Sequence, residues 1–306
     1  MDPSSIAYLT FGIVLLLAVG FDLGLLSKKG TTVSIRRALF QTAFWVALAL
    51  AFFFFLWYEN GHKLALEYLS AYLMEWSLSI DNIFVFILLF SFFRVKPVYH
   101  ARVLLIGILM AIVLRIIFIT VGIAMVDRFH WLLYVFGAIL VYTGIRMFSV
   151  KSEDELHVED NKVYSFLKRF LPLTPEDGGG RWTIREGGKK VYTSIFVVVV
   201  LLATTDVIFA IDSIPAVFGI TRDRIVIYTS NIFAVLGLRS LFFLLRGAVD
   251  RFSYLQHGIA TVLIFVGLKM LAEIIGIRVP VYVSLLVILV CISGAMLYSI
   301  RRQPKE

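Results

Sequence analysis

The sequence predicts an all-α polytopic membrane protein, from its apolar composition, the length of its apolar runs and the placement of its basic residues. Of its 306 residues, 60% are hydrophobic and only 16% are charged, whereas soluble proteins contain about 25% charged residues. A helix needs about 20 residues to cross ~30 Å of hydrocarbon. Continuous runs of this length are typical of membrane helices and not of barrel strands.

Nine apolar runs reach that length and predict about nine transmembrane helices. They are 6–26, 38–58, 64–93, 102–126, 130–150, 192–219, 225–246, 252–276 and 281–300. No basic residue precedes the first run and a basic loop follows it. We therefore expect this run to be a retained helix and not a cleaved signal peptide.

The basic residues predict the orientation of the chain. Most of the 29 Lys and Arg residues lie in one set of loops and in the C-terminal tail, and five lie in the opposite set. The positive-inside rule then places the N-terminus outside and the C-terminus in the cytoplasm of a cell whose inner (plasma) membrane the chain spans. The net charge of +8 is thus explained by topology, so the expected partner is the lipid bilayer and not a nucleic acid.

Motifs for enzymatic chemistry are absent from the sequence. It contains one cysteine, Cys291, and its five histidines lack metal-ligand spacing, which argues against a soft-metal or zinc site. It has no P-loop, nucleophile elbow or HExxH motif. We expect a non-enzymatic protein without a prosthetic group.

Three runs on each side of a hydrophilic stretch match one another in order. The third and sixth share the pattern of EWSLSIDNI (75–83) and DVIFAIDSI (206–214), the fourth and seventh share Leu-Arg, and the fifth and eighth share the pattern of LVYTGIRM (140–147) and LIFVGLKM (263–270). Each unit has an odd number of spans, so the second is predicted to be inverted. Inverted repeats are typical of transporters that bind substrate near the membrane midplane.

The repeat predicts five segments along the chain. These are two N-terminal helices (1–63), a first three-helix repeat (64–150), a cytoplasmic linker (151–191), a second, inverted three-helix repeat (192–276), and a C-terminal helix with a basic tail (277–306).

The repeat also places four acids at matching positions inside apolar runs, namely Glu75, Asp81, Asp206 and Asp212. A charge at the bilayer centre costs roughly 2.5–3.5 kcal/mol, so such residues usually face a cavity or a partner. Structural pairing with Arg115 and Arg239, which also occupy matching positions, is one interpretation. Four acids exceed two arginines, and the surplus favours a bound cation or protons.

The spacing of these acids constrains the site. Glu75 and Asp81 would not share a face of a regular helix, because six residues turn about 240°. Convergence would require a broken helix, and Pro215 offers a means in the sixth run because it frees the carbonyl of Ile211. With neighbouring polar residues the set is all-oxygen and suits Mn²⁺, Mg²⁺ or Ca²⁺. The predicted metal ligands are Glu75, Asp81, Asn82, Asp206, Asp212 and Ser213, with Asp22, Asn231, Arg115 and Arg239 as accessory residues.

At these residues the sequence resembles the TerC family (tellurium resistance protein C), and especially its Alx-like branch of manganese exporters. The resemblance lies in EWSLSIDNIFVF (75–86), RVLLIGILMAIVLR (102–115), FHWLLYVFGAILVYTGIRM (129–147), DVIFAIDSIPAVF (206–218), TSNIFAVLGLRSLFFLL (229–245) and VGLKML (266–271). It implies Mn²⁺ efflux, in exchange for protons, through an intramembrane acidic patch at Glu75, Asp81, Asp206 and Asp212.

Two departures from the family pattern change the charge of this patch. Ala203 stands where relatives have Glu, and Trp76 stands where they often have Lys. A Ca²⁺/proton exchanger of the same architecture is therefore a second interpretation. A non-transporting factor for membrane-protein assembly is a third. The sequence leaves the oligomeric state undetermined.

Overall fold

The computed structural model describes residues 3–21, 33–129, 131–149, 168–174, 176–186, 188–246, 254–277 and 279–301. These ranges contain nine α-helices of 18 residues or more and one β-hairpin. The helices are α1 (Pro3–Phe21), α2 (Ile35–Asn60), α3 (His62–Phe92), α4 (Pro97–Arg128), α5 (Leu132–Ser149), α6 (Ser194–Phe218), α7 (Arg224–Leu245), α8 (Leu255–Ala272) and α9 (Val281–Arg301). The strands are β1 (Thr183–Glu186) and β2 (Lys189–Tyr192).

Six helical segments of the described chain are long and apolar enough to cross a membrane. They are Ile35–Asn60, Pro97–Arg128, Ser194–Phe218, Arg224–Leu245, His257–Ile275 and Tyr282–Ser299, and shorter apolar stretches occur at Tyr8–Leu17 and Leu132–Phe148. The predicted all-α polytopic membrane protein is thus confirmed. The count of nine spans and the orientation stay predictions.

Helix starts follow local chemistry. The Ser34 side chain accepts a hydrogen bond from the backbone N–H of Arg37 at the start of α2. The Asp223 side chain accepts from the N–H groups of Ile225 and Val226 at the start of α7. Such caps satisfy backbone donors that have no partner within the helix. Pro97 opens α4, where its missing N–H and fixed φ cost nothing.

The helices of the two matching segments pack crosswise. Helix α3 packs against α7, α4 against α6, and α5 against α8. Exchanging α3 with α6, α4 with α7 and α5 with α8 converts the first pair into the second and leaves the third unchanged. The packing therefore agrees with the internal repeat, which stays a prediction.

Two glycines allow α5 and α8 to approach closely. A Cβ atom at Gly144 would lie 2.7 Å from the carbonyl oxygen of Ala260, and one at Gly267 would lie 2.6 Å from that of Gly137. Gly144 and Gly267 occupy equivalent positions in the predicted repeat, as do Gly137 and Ala260. Small residues at membrane-helix contacts let backbones meet in this way.

Helix α7 forms the centre of the bundle, since nearly all of its residues are buried. Aromatic rings pack around it: Phe233 contacts Phe11, Phe52 and Tyr68, and Phe242 contacts Phe90. Many large apolar side chains on α1, α2 and α9 are instead exposed, as expected of surfaces that face lipid.

The second half of the predicted linker is folded. A turn of 3₁₀-helix (Gly178–Gly180) precedes the hairpin, in which β1 and β2 pair antiparallel. The assembly docks on α4, because Lys96 Nζ lies 2.8 Å from Asp177 Oδ2 and Arg102 Nη1 donates to the carbonyl of Gly180 at 3.3 Å. The linker is therefore also a structural element at one end of the bundle. Residues 151–167 lie outside the described chain.

Candidate cation site

Four helices converge on the Arg115 side chain, which projects from the middle of α4. Its Nε and Nη2 groups donate to the two oxygens of Asp206 in α6, at 3.1 and 3.0 Å. Its Nη1 group donates to Glu75 Oε2 in α3 at 2.6 Å and to Asn231 Oδ1 in α7 at 2.9 Å. The fork on Asp206 is the bidentate geometry in which arginine binds carboxylates most strongly.

The surroundings of this cluster are almost completely closed. Glu75, Asp206 and Arg115 are each 1% exposed and Asn231 is fully buried. With all groups ionised, two carboxylates face one guanidinium, which leaves one negative charge. Unbalanced charge is costly in a low-dielectric interior. The cluster therefore favours the arrival of a further cation or of a proton.

Asn231 is held in a fixed orientation. Its Nδ2 group donates to the carbonyl of Ile227, one turn earlier in α7, at 3.0 Å. This bond directs Oδ1 at the guanidinium of Arg115. The sequence predicted Asn231 as an accessory residue, and in the structure it positions the arginine.

The break that convergence along a single helix would require does not occur in α3 or α6. Helix α3 runs without interruption past Glu75, and α6 continues through Pro215 to Phe218. Two acids nevertheless converge, because Glu75 and Asp206 approach from different helices and share Arg115. A break was the condition for convergence along one helix, and convergence between helices does not require it.

Four of the six predicted ligands can be placed, namely Glu75, Asn82, Asp206 and Ser213. Structural pairing with an arginine, one of the two interpretations, holds for Glu75 and Asp206. Asn82 and Ser213 are buried, each 2% exposed, and Arg239 is buried in α7. The side chains of Asp81 and Asp212, and all of Asp22, lie outside the described residues. In the part of the chain that the structure describes, no three His, Cys, Asp or Glu side chains form a group that could hold a metal.

Four buried side-chain oxygens of α3 and α6 lack a hydrogen-bond partner among the described residues. Two belong to predicted ligands, Glu75 Oε1 and Ser213 Oγ. Ser213 lies beside the Glu75 carboxyl group, yet the two make no hydrogen bond of acceptable geometry. The other two, Tyr72 OH and Ser79 Oγ, were missed by sequence reasoning. Their spacing of three and four residues from Glu75, which places them on the same face of the helix, was the signal that could have identified them.

Cavities open towards both ends of the bundle. One of about 540 Å³ lies at the predicted outer end, and it is lined by the start of α3 (62–67), the end of α6 (218–222), Lys269 and Glu273. One of about 750 Å³ lies at the other end, lined by Phe92–Arg94, Leu171–Thr174, Ser194 and Val197. Leu66 in the first cavity and Val197 in the second occupy equivalent positions of the predicted repeat. The two cavities thus occupy corresponding places on opposite ends.

Comparison with known proteins identifies relatives along nearly the whole chain. The model of the integral membrane protein TerC family matches residues 60–306. An uncharacterized membrane protein of Myxococcus xanthus is 43% identical over 282 residues, which cover 92% of this chain and 88% of the relative. An Escherichia coli K12 protein, named as a proposed membrane-bound redox modulator, Alx, is 39% identical over 284 residues (90% and 88%). An uncharacterized membrane protein of Rickettsia felis is 38% identical over 297 residues (97% and 98%). No solved structure matches the chain.

Proposed function

The chain belongs to the TerC family, in its Alx-like branch, and from this premise we propose that it exports a divalent metal cation, Mn²⁺, from the cytoplasm in exchange for protons. The main support is the buried cluster around Arg115. It brings two carboxylates and one guanidinium to the junction of four helices, and it leaves a surplus negative charge there.

The available ligand atoms fit a hard cation. Carboxylate, amide and hydroxyl oxygens surround the cluster, and such ligands suit Mn²⁺, Mg²⁺ and Ca²⁺. Cys291 is the one cysteine of the chain, so a thiolate pair for a soft metal cannot come from a single copy. The family resemblance favours Mn²⁺, and Ca²⁺ is the alternative cargo for the same oxygens.

Arg115 restricts where the cargo would bind. While its guanidinium occupies the space between Glu75 Oε2 and Asp206, a cation cannot bind between those two groups. The second oxygen of Glu75, Oε1, makes no hydrogen bond with the guanidinium, and Ser213 lies beside this carboxyl group. We place the cargo at this oxygen, and the repeat in the sequence predicts Asp212 as a further ligand.

Transport would use the two cavities, one at each end of the bundle, with the cluster around Arg115 between them. The crosswise pairs α3–α7 and α4–α6 meet at Arg115, and a cavity lies beyond each end. Rocking of one repeat against the other would expose the site to one cavity at a time. Protonation of the carboxylates would then release the metal outside, and their deprotonation inside would reset the site.

The decisive measurement is cell-associated manganese in a host that lacks its own exporters. Cells that express the wild type should contain less manganese under manganese stress than cells with empty vector. Glu75→Gln and Asp212→Asn should each abolish the difference, whereas Glu59→Gln, at an exposed position of α2, should preserve it. Equal manganese with wild type and empty vector, at verified membrane expression, would reject Mn²⁺ export.

A role in membrane-protein assembly is the second candidate, and the docked hairpin favours it. An assembly factor would need the hairpin and tolerate loss of the buried charges. A transporter would show the reverse dependence. Removal of residues 183–192, tested beside Glu75→Gln, therefore separates the two functions.

A further inference from the structure

Most buried hydroxyl groups in this bundle bind the backbone of their own helix. The bonds run to a carbonyl four residues earlier, at 2.6–2.8 Å: Ser70 to Leu66, Ser77 to Leu73, Thr205 to Leu201 and Thr229 to Ile225. A serine or threonine in a membrane helix usually satisfies its hydroxyl in this way. These residues therefore need no further partner.

Three buried hydroxyls depart from this pattern. Tyr72, Ser79 and Ser213 are 3%, 1% and 2% exposed. Tyr72 and Ser79 have no hydrogen-bond partner within the described ranges, and the neighbour of Ser213 is the Glu75 carboxyl group of another helix. Tyr68, one turn before Tyr72, donates its hydroxyl to the carbonyl of Ala49 at 3.2 Å. A buried phenol is thus satisfied nearby, and the unpaired groups require a specific reason.

The unpaired oxygens share one face of α3. Tyr72, Glu75 and Ser79 follow the spacing i, i+3, i+7, which places side chains on one side of a helix. They span about 10 Å along the helix axis. Ser213 of α6 lies beside the middle member, Glu75. The result is a line of oxygens along α3, with Arg115 bonded to the other oxygen of Glu75.

From this arrangement we infer that Tyr72 and Ser79 are ligands of the cation that the chain transports. They lie about one helical turn before and one turn after Glu75 on the same face of α3, and Ser213 of α6 lies beside Glu75. Hydroxyl and carboxylate oxygens at successive positions along the helix suit a hard divalent ion. Because Arg115 already binds this carboxylate, the ion is held weakly enough to move along α3. The inference rests on the proposed function and specifies the ligands of that site.

Metal binding to the purified full-length protein tests the inference. Free Mn²⁺ is measured by electron paramagnetic resonance during titration of detergent-solubilised protein. Ser79→Ala and Tyr72→Phe should each raise the Kd at least about fivefold, as expected for the loss of one polar contact. Ser77→Ala and Tyr68→Phe, whose hydroxyls are satisfied elsewhere, should stay within about twofold.

The outcomes separate the inference from the function on which it rests. Wild-type binding with an unchanged Kd in both Ser79→Ala and Tyr72→Phe would overturn the inference and leave export intact. A wild type that binds neither Mn²⁺ nor Ca²⁺ would overturn both. Equal losses in the test and control variants would also reject the inference, because they would indicate a general packing effect.

A variant that is expected to gain binding distinguishes a lost ligand from misfolding, because a misfolded protein would not bind a metal more tightly. Ser79→Cys introduces a soft ligand, and thiolates favour soft metals over Mn²⁺. This variant should bind Cd²⁺ more tightly than the wild type does, at the cost of Mn²⁺ affinity. Ser77→Cys should show a smaller Cd²⁺ gain and an unchanged Mn²⁺ Kd. Equal Cd²⁺ binding by both variants would contradict a ligand role for Ser79.

Discussion

Two salt-bridged sites of this protein have similar distances and very different surroundings. Arg115 lies 2.6 Å from Glu75 and 3.0 Å from Asp206, with side chains that are 1–2% exposed. Lys96 lies 2.8 Å from Asp177, with side chains that are 65% and 16% exposed. The first joins helices inside the bundle, and the second joins the hairpin segment to the start of α4.

The difference in surroundings decides what each pair does. Water and salt weaken an exposed pair until it contributes little to stability. Breaking a buried pair is costly because the remaining charge stays in a low-dielectric interior. We therefore expect substitutions around Arg115 to affect folding and transport strongly, and substitutions at Lys96 to affect only the docking of the hairpin.

The largest effect is expected for Arg115→Gln, which removes the one positive charge of the central cluster. Glu75 and Asp206 would then face each other without a counter-charge. The free energy of unfolding should fall by roughly 3–5 kcal/mol, measured by thermal unfolding in detergent. Arg146→Gln, at an exposed position of α5, serves as the control. An unchanged unfolding temperature for Arg115→Gln would show that the pairing does not stabilise the bundle.

A smaller effect on stability, together with complete loss of efflux, is expected for Glu75→Gln. The amide oxygen can still accept a hydrogen bond from Arg115, so the free energy of unfolding should fall by less than about 2 kcal/mol. The surplus negative charge disappears, and with it the attraction for a cation. Manganese content of cells and unfolding of the purified variant measure the two effects. Normal efflux by this variant would exclude Glu75 as a ligand.

The helices were predictable from sequence because long apolar runs leave few alternatives. The predicted run 225–246 corresponds to Arg224–Leu245, and 281–300 corresponds to Val281–Arg301. The hairpin was missed although Gly-Gly at 187–188 separates two short segments rich in β-branched and aromatic residues, which is a hairpin signal. Each strand is only four residues long and lies within a charged segment, which is why the pattern was overlooked.

The site was only partly predictable. The repeat indicated matching acids and arginines, but the choice of Arg115 as the partner of Glu75 and Asp206 depends on how α3, α4 and α6 rotate against each other. Local spacing does not contain that information. Tyr72 and Ser79 were passed over for a related reason, since a membrane hydroxyl usually binds its own helix. Only the structure shows that these two do not.

A moderate effect is expected for Asn231→Ala, which removes the neutral member of the central cluster. Arg115 would lose one acceptor and keep both carboxylates. The free energy of unfolding should fall by about 1–2 kcal/mol, less than for Arg115→Gln. Ser230→Ala is the matched control, because its hydroxyl bonds only within α7. A loss as large as that of Arg115→Gln would assign Asn231 a greater role than positioning.

The smallest effect on overall stability is expected at the exposed pair. Lys96→Asp should loosen the hairpin, seen as faster hydrogen exchange in residues 176–192, while the unfolding temperature of the bundle stays nearly constant. The double variant Lys96→Asp with Asp177→Lys should restore slow exchange. High salt should reproduce the loosening in the wild type. Fast exchange that persists in the double variant would mean that the hairpin is held by other contacts.

The pH dependence of this pair follows from its two pKa shifts. The hydrogen bond from Lys96, and then that from the N–H of Gly179, lowers the pKa of Asp177 below its ordinary 3.8. The bond to Asp177 raises the pKa of Lys96 above its ordinary 10.5. The lowered pKa of Asp177 stabilises docking at pH values above the ordinary aspartate pKa. This contribution is lost as the pH falls through the pKa that the carboxyl group has in the folded protein. The raised pKa of Lys96 stabilises docking at pH values below the ordinary lysine pKa. This contribution is lost as the pH rises through the pKa that the lysine has in the folded protein. Hydrogen exchange in the hairpin should therefore show pH-independent protection between these limits, after correction for intrinsic rates. A protection change near neutral pH would point to a histidine instead of this pair.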